Sequence, residues 1–244
     1  MNHDVYLARQ EIFRTLDLPM SKADLKRFQR RQRIKLLVWE ISLGSLFVVK
    51  RVVDVVASGL GMLVLSPVFL GLMLAIYLED GWPVFYSQSR VGLHGRVFQF
   101  YKFRSMVRNA DKLKEKLQEQ NESADGVIFK MKADPRVTKI GRFIRRYSLD
   151  ELPQLFNVFM GDMSLVGPRP PIPSELAAYT LEDRKRLHVK PGITCIWQVS
   201  GRSDIPFKEQ VQLDVKYIRS QGIWNDLKLL LQTIPAVLLG KGAY

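Results

Sequence analysis

Between Val52 and Leu78 the sequence runs for about 27 residues with a single charge, Asp54. At ~1.5 Å per residue, a helix of that length crosses a ~30 Å hydrocarbon core with tilt to spare. Membrane attachment follows; crossing does not. Ser66-Pro67 stands at the midpoint, where the proline removes one backbone hydrogen bond and obstructs the carbonyl four residues earlier. The kink frees groups that the Ser66 hydroxyl can satisfy. Each half alone is too short to span. Lys50 and Arg51 precede the segment, while Arg90, Arg96, Lys102 and Arg104 follow it. The tendency of positive charge to stay cytoplasmic holds both flanks on one side. The expectation is a re-entrant helix kinked at Ser66 and Pro67, with a kinked single span as the alternative.

Residues 22–35 are strongly basic, and Leu36 to Val49 is an apolar stretch of about 14 residues, too short to span. It reads as an interfacial segment on anionic lipid, with a helix packed on its own domain as the alternative. The whole chain carries 37 Lys and Arg against 24 Asp and Glu in 244 residues, a net charge of +13. That excess requires an anionic partner, whether nucleic acid, lipid headgroup or phosphorylated substrate. One cysteine, Cys195, excludes an internal disulfide. The three histidines show no zinc spacing. Residues 1–20 lack the apolar core of a cleavable signal peptide and read as a polar stretch with a short helix at most.

Downstream, residues 84–86 and 97–103 form a hairpin through Gly92-Leu93-His94-Gly95, with Lys102 and Arg104 on one face of its second strand. Residues 108–120 make a solvated charged helix and 121–126 a loop. Asp162 to Val166 is a short strand, followed by Gly167-Pro168-Arg169-Pro170-Pro171. The flanking prolines fix the backbone of Arg169 and lower the entropy it loses on engaging an anion. A β-like segment runs from Lys190 through Trp197 to Val199. Helices follow from Pro206 to about Tyr217 and from Trp224 to Leu239, the last a second interfacial candidate.

The chemistry converges on Arg145-Arg146-Tyr147-Ser148-Leu149-Asp150-Glu151-Leu152-Pro153-Gln154. Two adjacent carboxylates open an amphipathic helix that runs to about Met160 and stops at Gly161. The structural alternative is a capping box, Ser148 to Glu151, or a cap at Asp150 that leaves Pro153 in the first turn. Phosphate loops, dinucleotide glycine motifs, nucleophile elbows and D-x-D are all absent from the sequence. What is left is a basic, membrane-bound domain with paired carboxylates beside fixed arginines. That combination suits phosphoryl transfer from a soluble donor to a lipid acceptor.

Lys102-Phe103-Arg104-Ser105-Met106, Ser148 to Val158, Gly161-Asp162-Met163-Ser164, Gly167-Pro168-Arg169-Pro170, Lys190-Pro191-Gly192-Ile193 and Gly201-Arg202 together resemble the bacterial sugar transferase family. These are the monotopic phosphoglycosyl transferases, and the likeness covers the chain from about Lys50 onward. It implies an α+β fold: a kinked re-entrant membrane helix, interfacial amphipathic helices and a small cytoplasmic catalytic domain with short β-strands. The implied organisation is an N-terminal extension (1–49), a membrane helix (50–80) and a catalytic domain (81–244). The implied activity is transfer of a sugar 1-phosphate, a hexose in many relatives, from a UDP-sugar to undecaprenyl phosphate with release of UMP. This is the first membrane step of exopolysaccharide, capsule or O-antigen synthesis, at the cytoplasmic face of the bacterial inner membrane.

The resemblance makes Asp150 the nucleophile, forming a covalent phosphosugar intermediate, with Mg2+ at Asp150 and Glu151. An unperturbed carboxylate is already ionised near neutral pH, so neither half-reaction demands a strong base. Arg145 and Arg169 would offset the meeting of anion with anion; Lys102, Arg104, Arg136 and Arg202 are further candidates for nucleotide or lipid phosphate. Partners are the UDP-sugar, undecaprenyl phosphate and inner-membrane lipids, with no nucleic acid and a homo-oligomer left open. A non-catalytic scaffold for glycan-assembly enzymes is the competing class.

Overall fold

A computed structural model of the protein describes residues 22–110, 112, 113, 131 and 134–239. The expectations for residues 1–20, for most of the 108–120 helix and for the 121–126 loop lie outside them. The chain divides into two units between Val48 and Val49. Helix α1 is Lys22–Val64, and the basic stretch and the apolar stretch after it are both helical. Among the described residues no single helix is long and apolar enough to cross a membrane. Phe47–Val64 and Ser66–Asp80 (α2) meet that requirement only as a pair bent by 60°.

The bend has a local cause. Pro67 cannot donate to the carbonyl of Leu63, and the Ser66 hydroxyl donates to that same carbonyl at 2.7 Å. Both arms expose apolar side chains, including Val56, Leu60, Leu63, Leu70, Leu74 and Leu78. On another side of α1, Asp54 and Ser58 are buried and Lys50 and Arg51 are partly buried. Asp54 accepts from Ser164 Oγ (3.1 Å) and from the Leu165 N–H (2.9 Å). Arg51 donates to the Val158 and Phe159 carbonyls, and Lys50 pairs with Asp226. The one charge inside the apolar run therefore anchors the helix to the globular domain.

At the centre lies an antiparallel hairpin, β1 (Phe85–Val91) and β2 (Val97–Phe103), with Phe85 opposite Phe103 and Val91 opposite Val97. The period of two divides β2 between two cores. Phe103 joins Leu72 and Ile76 of α2 and Ile144 of α3 (Lys139–Arg146). Phe98 and Phe100 join Val158 of α4 (Gln154–Met160) and Met163. Asn157 of α4 substitutes for a strand partner, accepting from the Tyr101 N–H and donating to the Gln99 carbonyl.

Beyond α4, Gly161 adopts φ 97° and ends the helix as expected. A two-stranded parallel sheet follows, β3 (Ser164–Val166) with β4 (Gly192–Thr194). The backbones of Gly167 and Gly192 meet directly: a Cβ on Gly192 would lie 2.0 Å from the Gly167 nitrogen. The expected β-like run to Val199 is corrected. β4 stops at Thr194 and Ile196–Ser200 is a short helix, α6, which buries Trp197 and packs on its successors. Between β3 and β4 lie α5 (Pro173–Ala177) and a 3-10 turn, Asp183–His188. Helices α7 (Phe207–Arg219) and α8 (Ile223–Leu239) complete the domain. Helix α8 buries Asp226 and Leu229 and exposes Trp224, Leu227, Leu231, Ile234 and Leu238. The whole is a mixed arrangement of helices and short strands, in agreement with the α+β expectation.

Candidate active site

Helix α3 delivers the chain to the carboxylate pair. Its N-terminus is held by Thr138, which accepts from the Gly141 N–H, and by Glu79 of α2, which accepts from the Lys139 N–H (2.7 Å) and the Ile140 N–H (2.9 Å). After Arg145 and Arg146 the backbone turns at Ser148, whose φ is 52°, into a 3-10 turn at Leu149–Glu151. Leu149 and Leu152 pack into the core formed by Phe103 and Ile144. With those two side chains fixed, Asp150 and Glu151 reach Lys102 on β2. Its ammonium lies 2.7 Å from Glu151 Oε1 and 3.4 Å from Asp150 Oδ2.

Neither capping expectation holds. Ser148 makes no side-chain cap bond, because its left-handed backbone is incompatible with the extended geometry of an N-cap, and Pro153 occupies the N-cap position of α4. The turn at Leu149–Glu151 thus belongs to the site rather than to the helix.

Asp150 is buried, 7% exposed. Burial pushes its carboxyl above the ordinary range, against the pull of Lys102, and the neighbouring charge of Glu151 adds to the rise. This departs from the unperturbed carboxylate expected for Asp150. Burial acts on Glu151 too, but Lys102, with Arg169 and Arg202, outweighs it and holds that carboxyl below the usual range. The two adjacent carboxylates are therefore driven apart in acidity.

Arg145 stabilises the charge of Asp150. Arg202 interacts with both carboxylates, carries φ 54°, and buries an Nη1 that has no hydrogen-bond partner among the described residues. Arg145, Arg169, Arg202 and Lys102 thus share one electrostatic neighbourhood with Asp150 and Glu151. Arg104 and Arg136 are placed elsewhere. Arg104 pairs with Asp80 at 3.0 Å and donates to the Asp80 and Gly81 carbonyls at the end of α2. Arg136 pairs with Asp134 at 2.7 Å. Sequence reasoning missed the residues that organise the site from outside: Glu79, Asn157 and Arg90. Asn157 carried a usable signal, as a polar residue amid the apolar positions of α4.

A buried carboxylate, a second one of different acidity, a bridging ammonium and three nearby guanidinium charges make a strongly cationic pocket around two carboxylates, an arrangement suited chemically to phosphate groups. Residues 45–240 match the model of the family described as Bacterial sugar transferase, and the chain belongs to that family. It is 48% identical over 200 residues to the galactosyl transferase CpsE of Streptococcus agalactiae, covering 82% of this chain and 44% of that protein. It is 45% identical over 198 residues to the undecaprenyl-phosphate galactose phosphotransferase of Salmonella typhimurium, covering 80% and 41%. Against the exopolysaccharide production protein ExoY of Rhizobium meliloti, identity is 40% over 198 residues, covering 80% and 88%. The chain therefore spans less than half the length of the first two relatives and most of the third.

Proposed function

We propose that this protein transfers a sugar 1-phosphate from a UDP-sugar to undecaprenyl phosphate, releasing UMP, in the assembly of an extracellular polysaccharide. The observation that carries the reading is Asp150, a buried carboxylate fixed by packed leucines beside Lys102, Arg145 and Arg202, with Arg169 acting on the neighbouring Glu151. Family membership, and a relative named as an undecaprenyl-phosphate galactose phosphotransferase, support sugar-phosphate transfer to that lipid carrier.

In the first half-reaction an Asp150 carboxylate oxygen bonds to the phosphorus next to the sugar. The bond from that phosphorus to the bridging oxygen breaks, and the electron pair leaves with UMP. In the second, a phosphate oxygen of the lipid attacks the same phosphorus and the bond to Asp150 breaks, restoring the carboxylate. Carboxylate and lipid phosphate are both anionic nucleophiles, so no proton need be removed from either. Burial raises the Asp150 carboxyl against the pull of Lys102 and Arg145, and a more basic carboxylate is, in its ionised form, the better nucleophile. Arg169 and Arg202, whose charges act on the neighbouring Glu151, are the groups available to stabilise the charge that develops on the leaving phosphate.

Among the described residues, no group of three or more His, Cys, Asp or Glu forms a self-contained metal centre. Two adjacent carboxylates do fit magnesium, which is commonly held by one or two carboxylates together with substrate phosphates. Asp150 and Glu151 would hold it, and it would neutralise charge on the diphosphate. The exposed apolar faces of the bent pair and of α8, and the anchoring of Asp54 back to the domain, support a re-entrant membrane helix with α8 at the interface. The domain then lies on the cytoplasmic face of the inner membrane, where the nucleotide sugar is made available.

The test is intact mass after incubation with magnesium and a panel of UDP-sugars that includes UDP-galactose and UDP-glucose, without lipid. The expected result is an adduct of one sugar phosphate on the wild type and none on Asp150→Asn. UMP release on adding undecaprenyl phosphate completes the assignment. An Asp150→Asn protein that still turns over refutes the nucleophile. A wild type that neither forms an adduct nor releases UMP with any donor favours the scaffold class.

A further inference from the structure

Arg90 of β1 is an arginine buried to 9% side-chain exposure, and burial lowers its pKa to about 10. Removing a guanidinium from water forfeits its hydration, so its contacts define what it is for. Its Nη1 donates to the Pro170 carbonyl at 3.0 Å. The next residue, Val91, donates its backbone N–H to the Pro171 carbonyl at 2.9 Å. Two consecutive residues of one strand thus hold two consecutive carbonyls immediately after Arg169. Glu175 closes the arrangement: its Oε2 lies 3.9 Å from Arg90 and accepts from the Ile172 N–H at 3.1 Å.

The prolines on either side of Arg169 fix two φ angles but leave the carbonyl orientation free. Arg90 supplies that missing constraint. It does so against repulsion, because the charges of Arg90 and Arg169 disfavour each other while Glu175 compensates. The Arg90 guanidinium also lies over the Phe100 ring, 5.2 Å from the centroid, and the Lys102 ammonium lies 5.5 Å from the same centroid. One aromatic ring therefore ties the residue holding the proline turn to the residue holding the carboxylates.

We propose that Arg90 is a positioning residue for the donor diphosphate: it fixes the turn at Pro168 to Pro171 so that Arg169 presents its guanidinium to the anion, and it does not touch the substrate itself. This inference rests on the donor-site reading given above. Calorimetric binding of UDP with magnesium to the full chain in detergent tests it without turnover or knowledge of the sugar. Arg169→Ala is expected to weaken UDP about tenfold, the scale of one hydrogen bond to a charged group. Arg90→Met is expected to weaken it comparably. The double variant should bind no more weakly than Arg169→Ala alone, since Arg90 acts only through that side chain. Arg90→Lys, which still donates to Pro170, should recover part of the loss.

Additive losses in the double variant, or an unchanged affinity in Arg90→Met, overturn the positioning role and leave the donor site standing. An Arg169→Ala protein that binds UDP like the wild type overturns both. If Arg90→Met fails to fold, Arg90→Lys with and without Arg169→Ala carries the same comparison.

Discussion

Asp54 offers two readings of the apolar helix with opposite signs. If its carboxylate faced hydrocarbon, Asp54→Leu would favour the membrane-inserted state by about 3 to 4 kcal/mol on a translocon insertion scale. The structure instead buries Asp54 to 4% exposure, with one oxygen, Oδ1, accepting from both Ser164 Oγ and the Leu165 N–H. Leucine at this position orphans a fixed backbone donor, at about 1 to 3 kcal/mol, and a hydroxyl that can partly reorient, at about 1 more. The expected loss is about 2 to 4 kcal/mol. Asparagine retains a carbonyl oxygen that can accept both bonds, so it should lose only the charge-assisted part, about 1 kcal/mol.

The chain's one cysteine supplies the assay. Cys195 is fully buried directly after β4, the strand paired with the β3 that Asp54 holds. Labelling by a maleimide at fixed pH in detergent therefore reports opening of that region. Asp54→Leu should label about 30- to 1,000-fold faster than the wild type and Asp54→Asn within about tenfold, from 1.4 kcal/mol per decade. A leucine variant that labels no faster refutes the anchoring argument.

Three further expectations follow from named contacts. Glu79→Gln keeps one acceptor oxygen for the two N–H groups at the start of α3, so amide exchange at Lys139 and Ile140 should quicken about fivefold, for roughly 1 kcal/mol of lost capping; unchanged exchange rejects the cap. Gly192→Ala places a methyl 2.0 Å from the Gly167 nitrogen and should leave Cys195 openly reactive, whereas Gly71→Ala, in open space on α2, should be tolerated or stabilise by about 1 kcal/mol. Equal labelling of the two variants counts against the close crossing. Asp134 accepts bonds from the Arg136 guanidinium and backbone N–H; burial opposes ionisation, but these contacts prevail and hold its carboxyl below the ordinary value. Its contribution is therefore present above the unfolded value of about 3.9 and lost as pH falls through the depressed one. The difference in thermal unfolding between wild type and Asp134→Asn should be largest near neutrality and shrink below about pH 4; a constant difference removes the linkage.

Much of the architecture was legible because it is written locally. Proline at 67 lacks a donor wherever the chain folds, so the bend and the Ser66 rescue followed from two adjacent residues. The hairpin's turn and second strand, the Gly161 stop, β3 and the last two helices likewise came from turn chemistry and periodicity, although the first strand, expected at 84–86, runs on to Val91. The order of motifs pointed to the family and to Asp150 before any contact was known.

What required the tertiary structure was the choice of partners. Lys102 and Arg104 stand two apart in sequence, yet one reaches the carboxylates and the other the end of α2, because β2 ends between them. Ser148 and Glu151 fit a capping box in spacing, but the packing of Leu149 and Leu152 sets a backbone in which no cap forms. Arg90 read as one flanking charge among several until the fold brought Pro170 beside it, eighty residues away in sequence. Dihedral preferences and periodicity act over a few residues and are readable in any chain. Burial, ion pairing and the perturbed acidity of Asp150 arise only when distant segments exclude water together, and that is decided by the packed fold.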